Sequence, residues 1–180
     1  MSRQRVWAPR KHAGQRVPLA WVRLLSVFTT VTREMNASLL AAHGLTLNDY
    51  EVLLWLSWAP RGQLSRGELA ERVRLTQGGI TRLLHGLERA GLVQSAGSDS
   101  DRRVVYAQVT DHGHERLEQA ARTHLADVRT MFTDHFSADE LRTLAGLLEG
   151  LPGAQTDAQP PRSADTKHAT RPAGRGSKQR

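Results

Sequence analysis

The chain has 180 residues, a formal net charge of +7, a sequence pI of about 10.9, 39% apolar residues and no cysteine. That length suits one ordinary domain, the low apolar share implies that part of the chain lies outside a packed core, and the missing thiols exclude disulfides, thiolate metal sites and cysteine redox sensing. No apolar run reaches the ~18 residues a membrane span needs, and the Arg-rich first residues have no apolar signal segment, so a cytoplasmic protein without membrane contact is expected.

The charge is unevenly spread. Residues 1–18 hold Arg3, Arg5, Arg10, Lys11 and Arg16 and no acid, and residues 154–180 hold six bases against Asp157 and Asp165, which leaves −2 for the body, 19–153. A basic balance suggests an anionic partner, but here it belongs to the two ends, and the body has to be read from its pattern. Residues 1–17 mix Arg, Gln, Pro and Gly without a period and read as a disordered basic arm. From 154 to 180, Pro, Gly, Ser, Thr and basic residues dominate, which reads as a disordered basic tail.

Between these ends, 18–153 reads as one domain. A helix over 18–43 is predicted from the stripe Leu19, Val22, Leu25, Val31, Met35 and Leu39, with Pro18 in its first turn and Gly44 past its end. Thr46, with Asp49 three residues on, caps a second helix that carries Leu47, Tyr50, Leu53, Leu54 and Leu56 and finishes at Pro60. Arg61-Gly62-Gln63 reads as a turn. Ser65 and Glu68 form a capping box opening a short helix through Val73, with Leu69, Ala70 and Val73 inward. Thr76 caps the next helix, whose Ile80, Leu83, Leu84 and Leu87 fall at i, i+3, i+4 and i+7 before Gly91 closes it. Two short helices joined tightly around Arg74-Leu75 have helix-turn-helix spacing. Leu92-Val93-Gln94 is a short strand candidate, residues 97–101 are a turn, and the β-branched run 103–109 is strand-like. A hairpin directly behind the helix pair makes a winged helix. Thr110 then caps a long helix toward Phe132, and Ser137 with Glu140 opens another over 137–151.

On the helix that opens at Thr76, the face opposite the apolar stripe presents Gln77, Gly78, Thr81, Arg82 and His85, with Gly79 at the margin. The second helix of such a motif lies in the major groove, with its N-terminal outward residues at base edges. Gln pairs with adenine, Thr donates to a base or touches a thymine methyl, and Arg82 has the reach for a phosphate or a guanine. Gly78 and Gly79 weaken the helix relative to Ala, while bare backbone at its start allows close approach to phosphates. Taken alone, these residues read equally well as a solvated helix face. The hairpin tip, Asp101-Arg102-Arg103, shifts the balance, because a guanidinium projected there enters a minor groove and a neighbouring carboxylate fixes its orientation. Ser65 and Thr76, which head the two helices, complete the DNA-binding set.

These pieces resemble the MarR (multiple antibiotic resistance regulator) family: G-L-T-L-N-D-Y-E-V-L-L (44–54), L-S-R-G-E-L-A-E-R-V (64–73), I-T-R-L-L-H-G-L-E-R-A-G-L-V (80–93), D-R-R (101–103) and V-T-D-H-G (109–113). The resemblance covers roughly residues 19–151. It implies a mainly α fold with a small β-hairpin wing, a winged helix-turn-helix whose DNA-binding lobe spans about 46–110. N- and C-terminal dimerisation helices, about 18–43 and 110–151, would flank it. It further implies a homodimeric repressor on a pseudo-palindromic operator in double-stranded DNA, released by a small, often aromatic or anionic effector. The sequence departs from the family at Ser95-Ala96, where bases are usual, at Gly97 and Asp99, where the wing turn lacks its common Pro, and at the paired glycines.

Dimerisation also follows from the residues alone. Leu117, Leu125, Val128, Met131 and Phe132, with Leu141, Leu144, Leu147 and Leu148, exceed what one small winged domain covers, and a two-fold pair is the commonest closed solution. By the resemblance, an effector cleft would lie beside the first two helices and the long helix after the wing. It would be lined by Met35, Leu39, His43, Tyr50, Leu53 and Trp55, with Arg33 or Arg23 as anion partner, although most of these positions also suit ordinary core. Trp21 reads as a buried anchor. His112, His114, His124 and His135 invite a metal reading, but their spacing does not force the convergence zinc requires. No metal, cofactor or catalytic residue is expected, since nucleophile elbow, phosphate loop and H-E-x-x-H are all missing. Two alternatives stand beside the specific regulator: an architectural or nonspecific nucleic-acid binder driven by the basic tails, and a winged-helix protein–protein module.

Overall fold

The computed structural model describes residues 16–97 and 105–152, so the sequence features at 1–15, Asp101-Arg102-Arg103 and 154–180 lie outside the described residues. The chain divides into two units, one ending at Asp134 and one beginning at His135.

In the first unit, helix α1 is Arg16–His43, α2 is Leu47–Trp58 and a 3-10 turn spans Pro60–Gly62. Strand β1 (Gln63–Ser65), helices α3 (Arg66–Val73) and α4 (Gln77–Arg89), strands β2 (Val93–Gly97) and β3 (Val105–Val109) and helix α5 (Asp111–Thr133) follow. The second unit contributes α6, Ala138–Leu148. Helix α1 starts two residues before Pro18, which the first turn accepts because its N–H groups have no intrahelical partner. It stops where Gly44 turns left-handed at φ 65°.

Local chemistry sets most boundaries. The capping boxes at Thr46/Asp49, Ser65/Glu68 and Ser137/Glu140 are all formed, and Thr110 Oγ1 accepts from the Gly113 N–H at 3.0 Å. Several sequence expectations need correction. Gln63 belongs to a strand rather than a turn, and β1 pairs with β3 so that the sheet order is β1-β3-β2, a hairpin with a third short strand at its edge. Three residues are too few to show alternation, so only the partner strand reveals β1. Strand β2 starts one residue later and ends three later than the apolar triplet suggested, because pairing with β3 carries Ser95 to Gly97. Helix α6 ends at Leu148, three residues short of Leu151.

The core of the first unit joins α2, α3, α4, the sheet and the start of α5, with Leu39, Val52, Leu53, Leu56, Leu69, Ile80 and Leu84 fully buried. Leu117, read as a partner-facing residue, is instead buried in this core. Gly113 sits where α5 meets the start of β2: a Cβ added there would lie 2.1 Å from the Leu92 carbonyl oxygen and 2.9 Å from Val109 Cγ2. That carbonyl already accepts from the Thr110 N–H at 3.1 Å, and Thr110 Oγ1 donates to the Gly91 carbonyl at 2.7 Å. Backbone touches backbone, and only glycine fits.

The N-terminal half of α1 is different. Val17, Leu19, Trp21, Val22, Leu24, Leu25, Val27 and Phe28 are all exposed, and Trp21, expected as a buried anchor, is 59% exposed in the single chain. An amphipathic stripe predicts that a face is covered without saying by which chain.

Candidate nucleic-acid interface

Helix α3, a tight turn and α4 form the helix-turn-helix. Glu68 Oε2 accepts from the Ser65 hydroxyl at 2.7 Å and from its N–H at 2.8 Å. The side-chain bond first and the backbone bond second hold this carboxyl below its usual range. The turn rests on Arg74, which is left-handed at φ 57°, a conformation glycine adopts without strain. The Leu75 N–H there donates to the Ala70 carbonyl at 3.0 Å. Thr76 Oγ1 then accepts from the Gly79 N–H at 3.1 Å and starts α4.

Ile80, Leu84 and Leu87 pin one side of α4 to the core. Thr76, Gln77, Gly78, Arg82 and His85 are exposed on the other side, with Gly79 and Thr81 half-buried. The Thr81 hydroxyl donates to the Gln77 carbonyl at 2.8 Å, one turn back. At the far end of the helix, Ser95 Oγ donates to Glu88 at 2.7 Å and ties α4 to β2. Eight of the eleven residues read from the sequence as DNA-binding thus lie in or next to these elements, namely Ser65, Thr76, Gln77, Gly78, Gly79, Thr81, Arg82 and His85, while Asp101, Arg102 and Arg103 lie outside the described residues.

 Over 66–89 the motif carries five arginines (Arg66, Arg72, Arg74, Arg82, Arg89) against Glu68, Glu71 and Glu88, a local +2 within a body of −2.

The residues read as lining an effector cleft separate into two groups. Met35, Leu39, Tyr50 and Leu53 are buried in the chain's own core. Trp55 is half-buried, with the Arg72 guanidinium 4.8 Å above its ring and Trp58 edge-on at 5.5 Å, so it helps fasten α2 to α3. His43 Nε2 lies 2.8 Å from Thr123 Oγ1, and the His43 carbonyl accepts from Arg116. Arg23 and Arg33 are exposed on α1.

Sequence reading missed His124 as part of this junction. Its ring lies 4.7 Å from Tyr50, and its buried Nδ1 has no hydrogen-bond partner among the described residues. Burial pushes its pKa down, against an upward pull from Asp127, which accepts from Ser38 at 2.6 Å. Burial likewise raises Tyr50, with Glu51 adding to the effect, and raises Glu51 against the attraction of Arg74. Residues so far apart in the chain carry no common period, so no sequence signal joins them. Among the described residues no group of three or more His, Asp or Glu side chains is placed to hold a metal ion, and no helix is long and apolar enough to cross a membrane.

A helix-turn-helix backed by a small antiparallel sheet defines a winged-helix protein. Residues 43–104 match the sequence pattern of the MarR family. An uncharacterized HTH-type transcriptional regulator of Bacillus cereus is 33% identical over 131 residues, covering 72% of this chain and 84% of its own length. The HTH-type transcriptional repressor YetL of Bacillus subtilis is 30% identical over 133 residues, covering 71% and 79%. Among solved structures, the MarR family regulator AbsC from Streptomyces coelicolor superposes with a TM-score of 0.67 at 29% identity, covering 80% of this chain and 93% of that one. A mutant of MarR from E. coli complexed with operator DNA gives 0.65 at 25% identity, covering 78% and 97%. The chain belongs to the MarR family of transcriptional regulators, and the family is one of regulators rather than enzymes.

Proposed function

We propose that this regulator binds double-stranded operator DNA as a homodimer, represses transcription, and is released by a small ligand. The observation that carries the DNA reading is the division of α4 into a buried side, Ile80, Leu84 and Leu87, and a polar outer side, Gln77, Arg82 and His85. Such an outer face beside a hairpin suits a major groove, with Thr76, Gly78, Gly79 and Thr81 near base edges and Ser65 toward the backbone. Asp101, Arg102 and Arg103, which lie in sequence between β2 and β3, would reach the adjacent minor groove. The operator complex of the E. coli relative supports this reading.

The exposed apolar face of α1 from Val17 to Phe28 supports a homodimer, because a contiguous patch of this kind marks an interaction site. A ligand response finds support where α1, α2 and α5 meet, since His43, Tyr50, Thr123 and His124 make a part-buried polar cluster there. Leu39 and Leu53 are buried in the same core as Tyr50, and with Met35 and Trp55 they complete the apolar set proposed to meet such a ligand.

The test is a gel-shift and footprint on the upstream region of the protein's own gene, with random duplex as competitor and aromatic acids as candidate effectors. A specific regulator binds its site about 10³-fold or more tighter than random DNA. Arg82→Ala and Arg103→Ala should each cost about 1–3 kcal/mol. A steep salt dependence without sequence preference would instead favour an architectural binder driven by the basic tails, and indifference to both substitutions would favour a protein–protein module.

A further inference from the structure

We propose that α4 reads the 5-methyl group of a major-groove pyrimidine through the methyl of Thr81, seated in a notch left open by Gly78. The inference rests on the groove placement of α4 proposed above.

A threonine hydroxyl has one proton to donate. In Thr81 that proton is used inside the helix, at 2.8 Å from the Gln77 carbonyl. While that bond holds, Thr81 offers a base no donor, only its methyl and the remaining lone pair of Oγ1. Its methyl group remains, on a half-buried side chain of the face that carries Gln77, Arg82 and His85. A threonine methyl against the thymine methyl is an established mode of base contact.

Gly78 lies three residues earlier, one turn away on the same side of the helix. A Cβ added there would meet nothing within 4 Å, and its φ is not in the left-handed region. Nothing within the chain asks for glycine at this position, although glycine weakens a helix relative to alanine. Gly79 differs, since a Cβ there would come within 3.2 Å of Thr76 Oγ1. The space at Gly78 is thus open to the outside, and in this proposal it is the room by which a small apolar group approaches Thr81, one turn on. Thymine projects such a group into the major groove, unmethylated cytosine does not, and 5-methylcytosine presents the same group as thymine.

The experiment selects preferred sites for the full-length protein from random synthetic duplexes and then titrates modified versions of the selected site. In one arm each thymine is replaced in turn by deoxyuridine, and in the other each cytosine is replaced by 5-methylcytosine. The expected result is one thymine per half-site at which deoxyuridine weakens binding about fourfold, which is the ~0.8 kcal/mol of one buried methylene-sized group. Thr81→Ser, which keeps the hydroxyl and loses the methyl in both protomers at once, should weaken binding about sixteenfold and no longer distinguish thymine from deoxyuridine. Thr81→Val should keep the distinction, and Gly78→Leu, which fills the notch, should remove it. A gain from 5-methylcytosine that Thr81→Ser abolishes, with no thymine effect, would make methylated cytosine the source of the same contact. Insensitivity in both arms, or a Thr81→Ser protein that discriminates as wild type does, overturns the inference. If Arg82→Ala still weakens binding in that case, the groove placement of α4 survives. A selection that yields no preferred sequence removes both.

Discussion

Gly113→Ala is the sharpest test of how α5 is joined to the sheet. Within an ordinary helix this substitution is favourable by about 0.5–1 kcal/mol. Here the new Cβ would stand 2.1 Å from the Leu92 carbonyl oxygen, whereas ordinary contact begins near 3.4 Å, so the two backbones must separate by about 1.3 Å. Neither side yields easily. The Leu92 carbonyl is held by the Thr110 N–H at 3.1 Å, and Val109 Cγ2 closes the gap from beneath at 2.9 Å. Overpacking of this kind costs about 1–3 kcal/mol, and disturbing the Thr110–Leu92 bond costs about 1 more. After the helix-propensity gain is subtracted, a net loss of about 2–3 kcal/mol remains. At roughly 2–4 °C per kcal/mol for a chain of this size, the midpoint should fall by about 5–10 °C. Thermal unfolding followed by tryptophan fluorescence, at one fixed protomer concentration, measures it. Gly86→Ala is the matched control, because a Cβ there would meet nothing within 4 Å, and it should stabilise by about 0.5–1 kcal/mol. If Gly113→Ala proves as stable as wild type, the close approach of α5 to β2 is wrong.

Three further outcomes are expected. Thr76→Ala removes the acceptor of the Gly79 N–H and should cost about 1 kcal/mol in urea unfolding; an unchanged midpoint would mean that this cap contributes nothing. His124 has a folded pKa below its ordinary value of 6.5, because burial disfavours its charged form. The unfolded chain therefore takes up its proton first, so stability is full above about pH 6.5 and is lost as pH falls from there through the folded value. His124→Phe keeps a ring beside Tyr50 and should flatten the stability difference between pH 7.5 and 5.5; a variant with the full acid loss would refute the assignment. Phe28→Glu places a charge on the exposed apolar face of α1 and should shift the protein from dimer to monomer in sedimentation at micromolar concentration, while an intact dimer would mean that this face is not the contact.

Much of this architecture is legible because capping is local. Thr46/Asp49, Ser65/Glu68 and Ser137/Glu140 announce helix starts within four residues, and Ile80, Leu84 and Leu87 announce which side of α4 turns inward. The outer face of α4 follows by subtraction. Whatever depends on a distant partner is not legible. Strand β1 exists only through pairing with β3, and Tyr50 of α2 meets His124 of α5, far along the chain. The exposure of Trp21 follows from the single chain providing no cover for that end of α1. Arg74 is a different case: its position after α3 marks a helix end, but a left-handed arginine is not what such an end usually selects. The notch at Gly78 needed coordinates as well, since sequence cannot separate a glycine that its own chain requires from one that it does not.

The five arginines and three glutamates of 66–89 give that segment +2, while the body 19–153 as a whole carries −2, so the rest of the body holds −4. A particle with charge divided in this way experiences a torque as well as a pull in the field of a polyanion. A segment that is positive within a negative body favours approach to a polyanion by that segment, and the pull weakens as added salt shortens the reach of the field.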